Sequence, residues 1–147
     1  MKKVPSEIDW DNYKNNPDSL YAYNVFSGKT NQEMQESFKI NVLERVDELR
    51  WMPEKAFQYY MLGFRDYVMA GDFGFYDKAD ASCCFLELII QQLEGQPNHI
   101  IPILPKLMEA VEYVGNNQSK YAADEEIYGS FKEKLLKIKE TAKDHDL

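Results

Sequence analysis

The segment between Pro53 and Gly71 is apolar on nearly every side when its residues are placed on a helical wheel. Proline suits the first turn of a helix and glycine the position just after its last turn, so a helix from about Pro53 to Ala70 is predicted. A helix that is apolar on nearly all sides must be covered by other elements, although Gln58, Arg65 and Asp66 form a polar arc on this one, and it is the predicted centre of the fold. Its main apolar face carries Phe57, Tyr60, Met61, Phe64 and Val68.

Small residues occupy an adjoining face of the same predicted helix. Ala56, Gly63 and Ala70 recur at intervals of seven, so they lie above one another along the helix. Because the distance between packed helices depends on the side chains at their contact, a second helix is predicted to approach closely there.

The rest of the chain also shows helical periodicity, with apolar residues at intervals of three or four and no useful period-two alternation. Thr30 and Glu33 form a capping box, which predicts the start of one continuous helix that ends at Pro53. The other predicted helices start at Asn16–Asp18 and run from Asp77 to Glu94, from about Pro105 to Val114, and from about Asp124 to Lys143 with Ile127 buried.

Length and composition agree with a globular helical protein. The chain has 147 residues, enough for one domain with its own core, and its 44% hydrophobic content excludes intrinsic disorder. The expected fold is all-α, a single-domain bundle of five or six helices over residues 1–147. Residues 1–29 are expected to form a short helix and an irregular arm packed on that bundle.

The chain is acidic, with 25 Asp and Glu residues against 17 Lys and Arg and a formal net charge of −8. Nucleic acids bind basic surfaces, so a nucleic-acid partner is not expected. No apolar run approaches the roughly 18 residues of a membrane span, and no signal-peptide core follows the N-terminal lysines. Cys83 and Cys84 are neighbours, which disfavours a disulfide between them. We expect a cytoplasmic monomer or weak homodimer with reduced thiols and without a metal or cofactor.

Four carboxylates form the arrangement most typical of an enzyme. On one continuous helix, Glu33, Glu36, Glu44 and Asp47 would lie within about 80° of one another. Such pairs hold Mg²⁺ in all-helical nucleotide pyrophosphohydrolases, since a hard cation prefers several oxygen ligands. Those enzymes draw the pairs from two helices, however, and these four residues lie on one. A small metal-dependent nucleotide hydrolase is therefore the alternative hypothesis.

The segment from Asp72 to Asp80 is predicted to join two central helices. It carries three acids and three aromatic residues, and a loop held by rigid helices is where recognition residues concentrate. Tyrosine beside carboxylates is typical of a surface that binds a basic protein. The residues predicted to contact a partner are Asp72, Phe75, Tyr76, Asp77 and Asp80.

Two alternatives to this contact remain open from the sequence. Phe73 and Phe75 could fold inward, with the acids only capping the third helix. The interface could instead lie on an acidic edge that contains Glu109, Glu112 and Asp124.

The stretch from Tyr59 to Leu88, which includes YYMLGFRDYVM and ADASCCFL, resembles bacterial immunity proteins of polymorphic toxin systems, of the contact-dependent-inhibition or Maf type. The resemblance covers about a fifth of the chain and includes no catalytic motif. It implies a small acidic protein without enzymatic activity that covers the active site of a basic toxin domain, such as a nuclease. It carries over a role and no particular residue. A regulatory or scaffold protein without a toxin partner is a third hypothesis.

Overall fold

The computed structural model describes residues 3–145, and every regular element in that range is helical. The all-α, single-domain prediction is confirmed; the predicted span of residues 1–147 includes Met1, Lys2, Asp146 and Leu147, which lie outside the described residues. The α-helices are α1 (Pro17–Phe26), α2 (Gln35–Ile40), α3 (Val42–Arg50), α4 (Glu54–Ala70), α5 (Lys78–Gly95), α6 (Pro97–Ile100), α7 (Leu104–Gly115), α8 (Glu125–Tyr128) and α9 (Phe131–Asp144). Short 3₁₀ helices cover Glu7–Trp10, Tyr13–Asn15, Ile101–Ile103 and Gln118–Tyr121.

Helix α4 is the centre of the bundle, as its sequence predicts. Its long apolar face is buried, and residues of α2, α3, α5, α6 and α7 pack around it. Gly71 ends the helix with φ +75°, a left-handed conformation that glycine adopts without a Cβ penalty. The aromatic rings of this face stack on those of other elements, as Phe64 does on Phe38 with ring centroids 5.4 Å apart.

The small-residue face of α4 is only partly covered as predicted: the Gln35 side chain of α2 donates to the Gly63 carbonyl at 3.0 Å, but the closest approach to Gly63 is made by a turn. Gly63 is approached by the Asn31 side chain, which comes from the turn before α2. Ala70 is exposed at the end of α4. The space left by the missing Cβ atom of Gly63 is therefore filled by the polar side chain of Asn31.

The helix predicted from Thr30 to Pro53 is interrupted at Asn41. The Thr30–Glu33 capping box forms, with both reciprocal hydrogen bonds at 2.9 and 3.0 Å, but it caps a turn and α2 begins only at Gln35. Asn41 leaves helical geometry with φ −153°, and its side chain accepts a hydrogen bond from the Glu44 amide at 3.2 Å. An Asn side chain that competes for backbone groups inside a helical stretch favours such a break.

The last predicted helix is also divided. Gly129 adopts φ +76° between α8 and α9, and the Gln118 side chain bonds both sides of this break, to the Gly129 carbonyl and the Phe131 amide at 2.8 Å each. Because α8 is separate, its register differs from that of α9. Ile127 is consequently 75% exposed, and the prediction that it is buried is wrong.

The N-terminal segment packs on the bundle through aromatic side chains. Trp10 and Phe26 are completely buried, and the Tyr13 ring stacks on Tyr23 with centroids 3.9 Å apart. Within residues 3–145, none of the helices combines the length and the apolar character that crossing a membrane requires.

Candidate partner-binding site

The loop that joins α4 to α5 carries the most exposed aromatic pair of the described residues. We call residues 71–77 the α4–α5 loop. Phe75 is 84% exposed and Tyr76 is 83% exposed, and their ring centroids lie 4.1 Å apart. Two large rings that cover each other and little else form a contiguous apolar surface at the tip of this loop. Contiguous exposed apolar surface commonly marks an interaction site.

The backbone at this tip is strained. Tyr76 has φ +66°, in the left-handed region where a residue with a Cβ atom pays roughly 1–2 kcal/mol. Nothing in the fold of the helices requires a tyrosine at this position, since its ring contributes no buried surface to the core. Strained residues of this kind concentrate at functional sites, and in this backbone conformation the Tyr76 ring lies against Phe75.

Phe73 anchors the loop to the helical core. Its half-buried ring packs edge-on against Tyr67 of α4 at 5.4 Å and against Tyr121 at 6.1 Å, between ring centroids. The inward alternative is therefore right for Phe73 and wrong for Phe75. The two phenylalanines, two residues apart, divide the loop into an inward anchor and an outward contact surface.

A second attachment joins the loop to the end of α2. The Lys39 ammonium pairs with the Asp72 carboxylate at 3.1 Å. Gly74 lies so close to α2 that a Cβ atom on it would be 2.7 Å from the Lys39 carbonyl oxygen. The Gly74 carbonyl in turn accepts the Asp77 amide at 3.1 Å and closes the turn. The loop tip is thus fixed on both sides, which reduces the entropy lost when a partner binds.

The three acids of the predicted site have different environments. Asp72 is exposed, and Asp77 and Asp80 are half-buried. Asp80 accepts a hydrogen bond from the Tyr128 hydroxyl at 2.8 Å, a bond that raises the pKa of that hydroxyl. Asp77 stands at the N-cap position of α5 without a side-chain capping bond. Asp72 and Asp77 therefore flank the exposed rings, whereas Asp80 also ties α5 to α8.

Sequence reasoning missed Ile40, the last residue of α2. Its side chain is 74% exposed, directly after the Lys39 carbonyl that Gly74 approaches. The sequence pattern showed no sign that the helix breaks at Asn41. Ile40 is exposed at the end of α2 because of that break. Ile40 is thus an exposed apolar side chain next in sequence to Lys39, the residue of α2 that contacts the α4–α5 loop.

The four carboxylates of the hydrolase hypothesis do not converge. Glu33 precedes α2 and caps the Thr30 amide, while Asp47 pairs with Arg50 at 2.8 Å. The break at Asn41 divides the face on which all four were predicted to lie. Across residues 3–145, no three His, Cys, Asp or Glu side chains are grouped so that they could hold a metal ion.

The two cysteines are poor candidates for nucleophiles. Burial raises the pKa of Cys83 to about 12 and that of Cys84 to about 11, so both thiols stay protonated at neutral pH. The thiolate is the reactive form of cysteine, and neither residue reaches it under physiological conditions.

The alternative acidic edge is largely engaged within the chain. Glu112 pairs with Lys139 at 2.7 Å, and the Asp124 side chain caps the Glu126 amide at 2.9 Å. Glu109 and Asp124 are both exposed without an ion pair to a described residue. The edge and the α4–α5 loop therefore both have part of their acidic side chains engaged within the chain, and the exposed Phe75–Tyr76 ring pair is what distinguishes the loop.

Comparison of the chain with protein-family models, with curated proteins and with solved structures found no match. What the chain binds is accordingly inferred from its own geometry and charge.

Proposed function

We propose that this chain is a non-catalytic immunity protein, which binds a basic toxin domain and neutralises it by covering its active site. The observation that carries the proposal is the Phe75–Tyr76 ring pair, 84% and 83% exposed on a loop fixed to α2 and α4. Exposed aromatic rings on a rigid support are typical binding anchors, because they bury much area while losing little conformational entropy.

Charge supports a basic partner. The chain carries a formal net charge of −8, and Asp72 and Asp77 flank the ring pair. Opposite charges on two proteins accelerate their encounter and orient them before contact. A nuclease toxin needs a basic cleft to hold phosphates, so an acidic protein with a protruding aromatic tip is complementary to such a cleft.

In this proposal the rings and the acids have separate roles. Phe75 and Tyr76 enter the partner surface and exclude water, and the neighbouring carboxylates meet its lysines and arginines. Catalysis by the partner stops because its cleft is covered, without any chemistry by this chain. The attachments of the loop to α2 and α4 keep the tip in its binding conformation before the partner arrives.

A growth assay tests this function directly. The proposal predicts a toxin gene directly upstream of the gene for this chain, and its absence would count against the immunity function. Cells that express that toxin domain should grow when the wild-type chain is coexpressed and should die with the Phe75→Ala/Tyr76→Ala variant. Ile8→Ala/Ile127→Ala is the matched control, because it removes two other exposed apolar side chains and should still protect. Death of cells with the wild-type chain would overturn the immunity function. Full protection by the loop variant would overturn the site.

A further inference from the structure

A groove between α1 and α3 holds a second set of exposed aromatic and acidic residues. We call it the α1–α3 groove. It has a volume of about 480 Å³, and its apolar walls are the partly exposed side chains of Tyr21, Leu43 and Trp51. These three side chains are 54%, 54% and 43% exposed. Their exposure on facing helices leaves an apolar channel that no described residue covers.

The walls of this groove are held in place by internal bonds. The Ser19 hydroxyl of α1 donates to the Trp51 carbonyl at 2.7 Å, which joins the two sides. Behind the groove the Arg45 guanidinium bonds both carboxylate oxygens of Glu48, at 2.6 and 3.0 Å. The groove therefore exists before any occupant arrives, and binding need not order its walls.

The rim of the groove is negative. Asp18, Glu44, Asp47 and Glu48 line it, and no Lys or Arg is among its described lining residues. Arg45 contacts Glu44 and Glu48 from behind, and Arg50 pairs with Asp47. The buried Glu48 is neutralised by Arg45, so the charge of the rim comes from the exposed carboxylates of Asp18, Glu44 and Asp47, of which Asp18 has no ion pair with a described residue. The rim therefore has negative charge that is available to pair with a positively charged ligand.

We propose that the α1–α3 groove binds an arginine-bearing segment of the partner protein. The methylene stem of arginine would pack on Leu43, and its planar guanidinium would stack on Trp51 or Tyr21. The same guanidinium can bond a carboxylate through two parallel N–H groups, a geometry that lysine does not match. Aromatic walls with an acidic rim therefore select arginine over lysine.

This inference rests on the proposed function, because the segment is assigned to the same basic partner. The groove begins near the place where the α4–α5 loop meets α2, because Leu43 in the groove and Lys39 beside the loop are four residues apart across the break at Asn41. Helix α3 has 9 residues, so it is about 14 Å long at roughly 1.5 Å per residue. One partner domain of ordinary size can contact both surfaces.

A second copy of this chain is a weaker occupant. Its most basic element is α9, which is rich in lysine and has no arginine. Three of the α9 lysines already form ion pairs within the chain, Lys134 with Glu87, Lys137 with Glu94 and Lys139 with Glu112. An arginine-bearing segment of another protein would not have to break these internal ion pairs in order to bind the groove.

Tryptophan fluorescence tests the groove without any toxin. The chain has two tryptophans, and Trp10 is fully buried. A change in fluorescence emission when a peptide binds at the surface therefore comes from Trp51. Titration with a hexa-arginine peptide at low salt should shift this emission. Glu44→Gln/Asp47→Asn should weaken that binding at least tenfold, and hexalysine should bind the wild-type chain at least threefold more weakly. Leu43→Arg, which places a guanidinium of the chain itself in the groove, should weaken it as well.

The matched control is Glu109→Gln/Glu140→Gln, which removes the same charge from exposed positions outside the groove. It should change affinity less than twofold. Equal weakening by this control, unchanged binding by the groove variants, or equal affinity for hexalysine would overturn the proposal. A wild-type dimer in light scattering that dissociates in Leu43→Arg would assign the groove to a second copy. If the wild-type chain and its variants bind the peptides as predicted but the wild-type chain does not protect cells in the growth assay, the immunity function is refuted and the groove proposal is not.

Discussion

The Asn31 side chain lies where a Cβ atom of Gly63 would be. A Cβ built on Gly63 would be 2.6 Å from the Asn31 Cγ atom, well inside van der Waals contact. Asn31 is fixed there by two hydrogen bonds, from its amide nitrogen Nδ2 to the Tyr59 carbonyl at 2.8 Å and from its backbone amide to the Tyr59 hydroxyl at 3.1 Å. The turn before α2 is thereby attached to the middle of α4.

Gly63→Ala should therefore destabilise the protein, although alanine is the better helix former. Overpacking of a close contact costs about 1–3 kcal/mol, which exceeds the propensity gain of about 1 kcal/mol. Urea unfolding measures the difference. Gly95→Ala is the control, because open space surrounds that position at the end of α5 and no loss is expected. Adding Asn31→Ala to Gly63→Ala should recover part of the loss, and a purely additive double variant would refute the contact.

The contrast between Gly63 and Asn41 shows what the sequence can predict of the fold. Periodicity identified the central helix α4, its end at Gly71 and its buried face, because a strong apolar pattern is a local property. The partner of Gly63 and the break at Asn41 depend on which polar side chain reaches a backbone group. Asparagine occurs both inside helices and at helix caps, so its residue type alone does not show that Asn41 is a cap. The packing of α2 and α3 on α4 decides this.

The buried ion pair between Arg45 and Glu48 should be costly to break and easy to replace. Burial raises the pKa of the Glu48 carboxyl, since removal from water outweighs the attraction of Arg45. Glu48→Leu would leave the buried Arg45 charge with only the more exposed Glu44 carboxylate, at 3.3 Å, as a partner, a loss of up to about 3–5 kcal/mol. The double variant Arg45→Met/Glu48→Leu should recover most of that stability.

Asp47→Ala is the matched control, because it breaks an exposed pair with Arg50 and should cost less than about 1 kcal/mol. Denaturant unfolding of the four proteins decides the outcome. A double variant as unstable as Glu48→Leu would show that the pair stabilises the fold beyond what apolar packing supplies.

Stability should fall as pH drops from 7.5 to 5.5, in part because of His99. Burial lowers the pKa of His99 below its ordinary value of 6.5, so the unfolded chain binds a proton at higher pH than the folded chain does. The stability that this residue contributes is present above pH 6.5 and is lost as pH falls through the lowered pKa. His99→Gln should flatten this part of the stability profile, measured by urea unfolding at several pH values. A His99→Gln profile that falls as steeply as that of the wild type would contradict this role of His99.

The candidate site was only partly accessible from the sequence. Composition and position predicted that the α4–α5 loop holds aromatic and acidic residues, yet Phe73 and Phe75 are the same residue type in one loop. Only the fold shows that Phe73 meets Tyr67 and Tyr121, whereas Phe75 meets solvent. Ile40 and the α1–α3 groove depend on the Asn41 break and on the approach of α1 to α3, which are long-range features.

The affinity of the purified chain for the purified toxin domain tests the central claim most directly. Each buried aromatic anchor contributes at least about 2 kcal/mol to a protein interface. Calorimetric titration should therefore show that Phe75→Ala/Tyr76→Ala weakens binding by at least a hundredfold, while its melting temperature stays at or above that of the wild type because the loop rings cover no core. A loss of affinity smaller than threefold in this folded variant would contradict the assignment of the α4–α5 loop as the partner-binding site.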